Sequence, residues 1–272
     1  IGFAYENIHF PESTEALALA RRRLAFEELF FFTLGLRQLR QRRDTVKTQP
    51  LRKVNMRSFY EALPFALTEA QRRCIAEALA DMCSGKPMNR LCQGDVGSGK
   101  TMVAAACAYF CAKNGKQAAL MAPTEILARQ HYESLSPLME PLGVHCALLT
   151  GSTAAKEKKD IAARLAAGEI GFVIGTHALI TGDVEYARLG LVVTDEQHRF
   201  GVAQRAALAG KGEHPHVLVM SATPIPRTLA LILYGDLDVS VIDRLPPGRR
   251  PVQTSFVSSR YHPRIYKFLR KL

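Results

Sequence analysis

The residues best equipped for chemistry are the consecutive positions Gly94-Asp95-Val96-Gly97-Ser98-Gly99-Lys100-Thr101, which fit the pattern G-x-x-x-x-G-K-[ST]. Glycines at that spacing let the backbone fold tightly enough for successive N–H groups to surround phosphate oxygens. A helix starting at the lysine adds its positive N-terminal end. Lys100 then supplies a charge for the β- and γ-phosphates, and the Thr101 hydroxyl is a small, hard ligand suited to Mg²⁺. Such a loop needs an acid to hold the metal and a group to orient water. Asp195-Glu196 ends an apolar run about a hundred residues on. Alone, an Asp-Glu pair there is an ordinary turn or cap. Downstream of a phosphate loop it reads as the other half of a site for MgATP, with Asp195 in the metal shell and Glu196 on the attacking water. A parallel strand beside the loop's own strand would deliver both carboxylates to the γ-phosphate.

The elements around these residues must place them. From Met88 onward, short apolar runs alternate with helical stretches of about a dozen residues, the pattern of a parallel sheet wrapped by helices. Six strands are expected, at 90–93, 117–121, 145–149, 172–175, 191–195 and 217–221. Near-continuous apolar content, as in Leu191-Val192-Val193, suits strands buried on both faces. The loop then sits between a strand and the helical run Met102 to Lys113, at the carboxyl edge where α/β sheets bind ligands. Upstream, Leu17, Leu24, Phe31, Leu34 and Leu39 recur at helical spacing, with Ser13 or Thr14 as cap, and predict one helix or two between Pro11 and Arg43. Residues 44–63 are polar and basic and read as a linker. The expected division is a helical and basic segment over 1–60, a nucleotide-binding α/β domain over 61–243, and a second linker over 244–272, opened by Leu245-Pro246-Pro247-Gly248.

Basic residues exceed acidic ones by eleven in 272 residues, and eight of them fall between Arg37 and Arg57 against one acid, Asp44. That run suits an acidic polymer such as nucleic acid, and equally a solvated helix face. The six cysteines form no C-x-x-C pair and read as reduced core residues. No run of about 18 apolar residues occurs, so no membrane span is expected. The chain opens in mid-pattern at Ile1 and reads as a piece of a longer protein.

Asp195-Glu196-Gln197-His198 has the form of the boxes that define superfamily 2 helicases, and other segments fall in that superfamily's order: Ala122-Pro123-Thr124-Glu125, Thr150-Gly151, Gly175-Thr176-His177 and Ser221-Ala222-Thr223. The continuation Arg199-Phe200-Gly201, with Thr223-Pro224-Ile225-Pro226-Arg227-Thr228, resembles the RecG family, bacterial helicases of branched DNA. Ile8-His9-Phe10-Pro11 and the segment 20–29 resemble that family's connection between wedge domain and motor.

The resemblance implies a RecA-like motor domain using ATP and Mg²⁺. It assigns Phe65 and Gln71 to adenine, and Pro123, Thr124, Thr150, Gly151, Thr176 and His177 to the DNA backbone. Gln197, His198, Ser221 and Thr223 would couple hydrolysis to movement between motor lobes. Read without the motif, Phe65 is a core residue, Gln71 a surface one, and each threonine a helix or turn cap. The implied partners are branched DNA and, in the same longer chain, a wedge domain and a second RecA-like lobe carrying an arginine finger. A monomeric segment in the bacterial cytoplasm, at the nucleoid, is expected, with feeble ATP turnover by itself. Rival readings are a double-stranded DNA translocase like Mfd, an RNA helicase of the same superfamily, a nucleotide-gated docking module that has lost hydrolysis, and a P-loop kinase.

Overall fold

From Asn89 onward the chain is built on one parallel sheet. The structure, a computed structural model, describes residues 1–195, 202–222, 237–244, 254 and 256–270, without the side chains of 36, 39, 40, 42–44, 202, 203 and 205. Its strands are β1 (Asn89–Gly94), β2 (Gln117–Met121), β3 (Cys146–Leu149), β4 (Phe172–Gly175), β5 (Leu189–Thr194), β6 (His216–Ser221) and β7 (Asp238–Ile242). They lie in the order β3-β4-β2-β5-β6-β1-β7, and every pairing is parallel. All six expected strands are present. The seventh, β7, extends the sheet beyond β1 as an edge strand, where Val241 stays 39% exposed.

Helices α4 (Glu69–Met82), α5 (Lys100–Lys113), α6 (Glu125–Met139), α7 (Ala155–Ala166) and α8 (Val202–Ala209) connect the strands or lead into them. The pleat sends alternate residues of β2 to opposite faces. Ala118 and Leu120 join the core shared with α4, α5 and α6, while Ala119 and Met121 join the one containing Ile161, Leu165 and Leu208. Helix α5 is buried almost all round from Val103 to Cys111, which requires its run of alanines. All six cysteines are free, and burial pushes the Cys107 and Cys111 thiols up to about 12.

Ahead of the sheet, α1 (Gly2–His9) packs on α2 (Thr14–Thr45), one continuous helix whose N-terminus is capped by Ser13 Oγ accepting from Ala16 N–H at 3.0 Å. The stretch after α2 is pinned to the sheet's helices. Thr48 N–H donates to Gly85 O and Leu51 N–H to Met82 O, each at 3.0 Å, while Asn114 caps both backbone groups of Arg52. Leu51, Met56 and, from α3 (Arg57–Ala62), Phe59 are buried in the main core.

One sequence expectation is corrected here. The acid-bearing strand β5 does not lie beside β1; β6 stands between them. Two interstrand steps put the two strands about 10 Å apart. That gap suits a phosphate chain with a metal between loop and acid, and it places Ser221, at the end of β6, midway.

Candidate nucleotide site

At the end of β1 the chain must turn sharply from strand to helix. Gly97 and Gly99 take φ of 75° and 88°, the left-handed region that side chains disfavour. Gly94 is needed for close approach: a Cβ there would strike Ser98 Oγ and the side chain of Ile242 on β7. Ser98 is fully buried, and its hydroxyl has no hydrogen-bond partner among the described residues. Lys100 opens α5 and folds its ammonium back over the loop, donating to Gly94 O at 2.7 Å and Asp95 O at 2.9 Å. Those carbonyls hold the charge over the loop mouth. Thr101, in the first turn of α5, is partly exposed.

Gln71 braces the loop from α4. Its side chain and Thr68 form a reciprocal cap: Gln71 N–H donates to Thr68 Oγ1 at 3.2 Å, and Thr68 N–H to Gln71 Oε1 at 2.9 Å. The side-chain Nε2–H of Gln71 donates to Ser98 O at 2.7 Å. Gln71 is buried, 1% exposed, whereas Phe65 is 50% exposed. Both are the reverse of what their types alone suggest. Phe65 lines a cleft of about 470 Å³ with Tyr60, Leu63, Leu67 and Arg72. An aromatic face left open in such a cleft can stack on a base.

Asp195 follows β5 directly, its N–H donating to Met121 O at 3.1 Å. Its Oδ2 lies 2.7 Å from His131 Nε2 on α6, with both side chains largely buried, 13% and 11% exposed. Sequence reasoning passed over His131, which reads as one more polar residue of an amphipathic helix. Glu196, Gln197, His198 and Thr223 lie outside the described residues.

The residues described fit MgATP. Two left-handed glycines shape the loop, a helix of 14 residues starts at Lys100, and one hard hydroxyl and one carboxylate flank the gap. Lys100, Thr101 and the loop N–H groups would hold the phosphates and Asp195 the metal.

The segments after β2, β4 and β3 occupy the other half of the same carboxyl edge. Their threonine hydroxyls are already engaged or enclosed. Thr124 Oγ1 caps α6, accepting from Leu127 N–H at 3.3 Å; Thr150 Oγ1 sits 3.1 Å from Ser152 Oγ; and Thr176 Oγ1 is buried without a partner among the described residues. Gly151 and His177 are exposed, and Pro123 partly so. Glu125, which the sequence reading left without a role, joins two of these loops: its carboxylate accepts from Ser152 N–H at 3.0 Å and Ser152 Oγ–H at 2.6 Å. These bonds hold the Glu125 carboxyl below the usual carboxylate range.

The DEAD/DEAH box helicase family matches residues 68–232. The ATP-dependent DNA helicase RecG of Synechocystis sp. is 51% identical over 98% of this chain and 33% of its own length; that of Bacillus subtilis is 50% identical over 98% and 40%. The chain thus spans between a third and two fifths of these relatives. A structure of RecG bound to a three-way DNA junction superposes with a TM-score of 0.86 at 47% identity, covering 98% of this chain and 36% of that one. A DEAD box protein from Methanococcus jannaschii, at 19% identity and a TM-score of 0.52, shares the fold. The family match takes in the phosphate loop and the acid strand together and runs over more than half of the sequence, and the chain belongs to the DEAD/DEAH box helicase family.

Proposed function

We propose that this chain is the ATP-binding motor segment of a RecG-type DNA helicase that hydrolyses MgATP to remodel branched DNA. The observation that carries the reading is the strand order. Along one carboxyl edge, β1, β6 and β5 present the phosphate loop, Ser221 and Asp195, while the adjoining β2, β4 and β3 present Pro123-Thr124, Thr176-His177 and Thr150-Gly151. Nucleotide and DNA sites are then neighbours on a single rigid sheet.

In this reading Lys100 neutralises phosphate charge, Thr101 and Asp195 hold Mg²⁺, and Glu196 orients water. The bound metal supplies charge neutralisation at the phosphate oxygens. Gln71 braces the loop and Phe65 stacks on adenine. Because the hydroxyls of Thr124 and Thr150 are engaged and that of Thr176 is buried, the DNA backbone is met by loop N–H groups, with Gly151 and His177 at the surface; such phosphate contacts carry no sequence information. Ser221, midway between loop and acid, passes changes at the γ-phosphate toward a second lobe, with Gln197, His198 and Thr223. Residues 1–60 would follow a wedge domain, 61–243 form the motor domain, and 244–272 lead to the second lobe and its arginine finger. The work would be done in the bacterial cytoplasm, at the nucleoid. Among the described residues no helix is long and apolar enough to cross a membrane.

An Mfd-like translocase is less well supported, since the two relatives that are 51% and 50% identical over the aligned span are RecG helicases. The test is ATP turnover by the full-length protein with no DNA, linear duplex, forked DNA or structured RNA. Fork-specific stimulation, lost in Glu196→Gln while nucleotide binding persists, is expected. Equal stimulation by linear duplex would favour the translocase, and preference for RNA would overturn the assignment. Nucleotide binding without turnover on any substrate would leave a docking module.

A further inference from the structure

We infer that His131 is a positioning residue for Asp195 and that α6 thereby ties the DNA-facing loops mechanically to the metal-binding acid; this rests on the function proposed above. An ionised carboxylate can only accept hydrogen bonds, so the 2.7 Å contact requires the proton on His131 Nε2, donated to Asp195 Oδ2. Both side chains are largely withdrawn from water, which strengthens the bond and makes an unpaired partner costly. With Oδ2 held by His131, Oδ1 is the oxygen that this contact leaves for a metal.

The same helix is anchored at its N-terminus by the loops assigned to DNA. Thr124 caps it, and Glu125, in its first turn, takes both polar hydrogens of Ser152 from the loop after β3. His131 follows Glu125 by six positions, about 9 Å along the helix axis. One stiff helix therefore carries a contact to the DNA edge at its start and a contact to the acid less than two turns later. A displacement of the loops after β2 and β3 when DNA fills them moves Asp195 with them. The direct route through the sheet is less able to do this, because from Ala118 to Met121 β2 is paired residue for residue with Leu191 to Thr194 of β5 and offers no separate movement.

Groups that orient a metal's ligands typically change metal affinity or activity by about 10- to 100-fold when removed. The experiment compares the full-length wild type with His131→Ala and His131→Gln, the latter retaining an N–H donor. Two quantities are read: the Mg²⁺ concentration that half-saturates binding of a fluorescent ADP, and the ratio of ATP turnover with forked DNA to turnover without DNA. Fork affinity and the melting temperature are followed alongside.

His131→Ala is expected to raise the Mg²⁺ requirement about 10-fold and to cut the stimulation ratio by a similar factor, with fork affinity within about twofold. His131→Gln should recover part of both. An alanine variant with unchanged Mg²⁺ requirement and stimulation overturns the role of His131. So does a glutamine variant no better than alanine, with both melting lower, since that pattern belongs to a packing residue. If the wild type itself shows no Mg²⁺-dependent nucleotide binding and no stimulation by DNA, the proposed function falls and this inference with it.

Discussion

The side-chain amide of Gln71 donates to the backbone carbonyl of Ser98 at 2.7 Å, so the glycine-rich loop after β1 is braced from a helix that begins before the sheet does. The same side chain accepts from Thr68 N–H and caps α4. One residue therefore fixes the start of α4 and the floor of the loop together.

Replacing Gln71 by alanine removes both bonds and strands the Ser98 carbonyl in a buried place. A loss of about 1–3 kcal/mol in stability is expected from the unsatisfied carbonyl and the lost cap. Nucleotide affinity should fall about tenfold, because the loop is no longer held ready for phosphate. Phe65→Ala should weaken adenine nucleotides while leaving inorganic triphosphate binding and stability nearly unchanged, since Phe65 is half exposed. Denaturant melts and titration with fluorescent ADP check both. Equal losses in both variants would mean that Gln71 acts on the base rather than on the loop.

Gly99 offers a sharper case. Its φ of 88° is unfavourable for any side chain, and a Cβ would be driven into the Gln71 amide. Gly99→Ala is expected to cost about 1–3 kcal/mol from backbone strain and to abolish detectable nucleotide binding. Gly115, also at positive φ but with open space around it, is the control. Gly115→Ala should lower stability by about 1 kcal/mol and leave binding intact. Melting curves and nucleotide titrations separate the two; retained binding in Gly99→Ala would show that the loop reshapes itself.

Much of this site is local in sequence and could be read there. The spacing from Gly94 to Thr101, a strand before it and a helix after it, names the phosphate loop, and Leu191 to Thr194 reads as a buried strand feeding Asp195. Which strands become neighbours is decided by crossovers, and no residue of β5 or β1 announces that β6 separates them. Gln71 reads as a surface amide because its partner Ser98 lies 27 positions away; His131 and Asp195 are 64 apart. The hydroxyls of Thr124, Thr150 and Thr176 illustrate the converse. Their positions at strand ends were legible, but whether each faces solvent depends on whether a backbone amide or another hydroxyl claims it first. The strand β7 is short, sits on an edge and leaves Val241 partly exposed, so its alternation is weak.

The tie between Glu125 and Ser152 should be visible in DNA binding alone. Glu125→Ala frees the loop after β3 from the start of α6, and fork affinity is expected to fall about 3- to 10-fold through the added cost of ordering both loops. Adenine nucleotide affinity without DNA should stay within about twofold. Fluorescence anisotropy with a labelled fork measures the first and ADP titration the second. A variant that loses nucleotide binding equally would show that Glu125 supports the whole sheet edge instead.

His216 opens β6 next to β5, is 2% exposed, and accepts a hydrogen bond at Nδ1 from Met88 N–H at 3.0 Å. Burial, helped by the charge of Lys116, lowers its pKa from 6.5 to about 4. A protonated imidazole cannot accept at Nδ1, so protonation would also cost the Met88 bond. The unfolded chain takes up a proton near pH 6.5, the folded chain only near pH 4. The stability His216 contributes is therefore fully present above about pH 6.5, declines as pH falls through the window, and is gone below about pH 4. A shift of that size corresponds to about 3 kcal/mol over the window. Asparagine at 216 could still accept from Met88 N–H and would not titrate. Urea melts of wild type and His216→Asn between pH 7.5 and 4.5 should show the wild type losing stability faster, by about 2 kcal/mol at the acid end, since carboxylates elsewhere contribute equally to both. Parallel pH profiles for the two proteins would mean that His216 protonates in the folded state as readily as a free imidazole, and that the β6 end of the sheet opens to water.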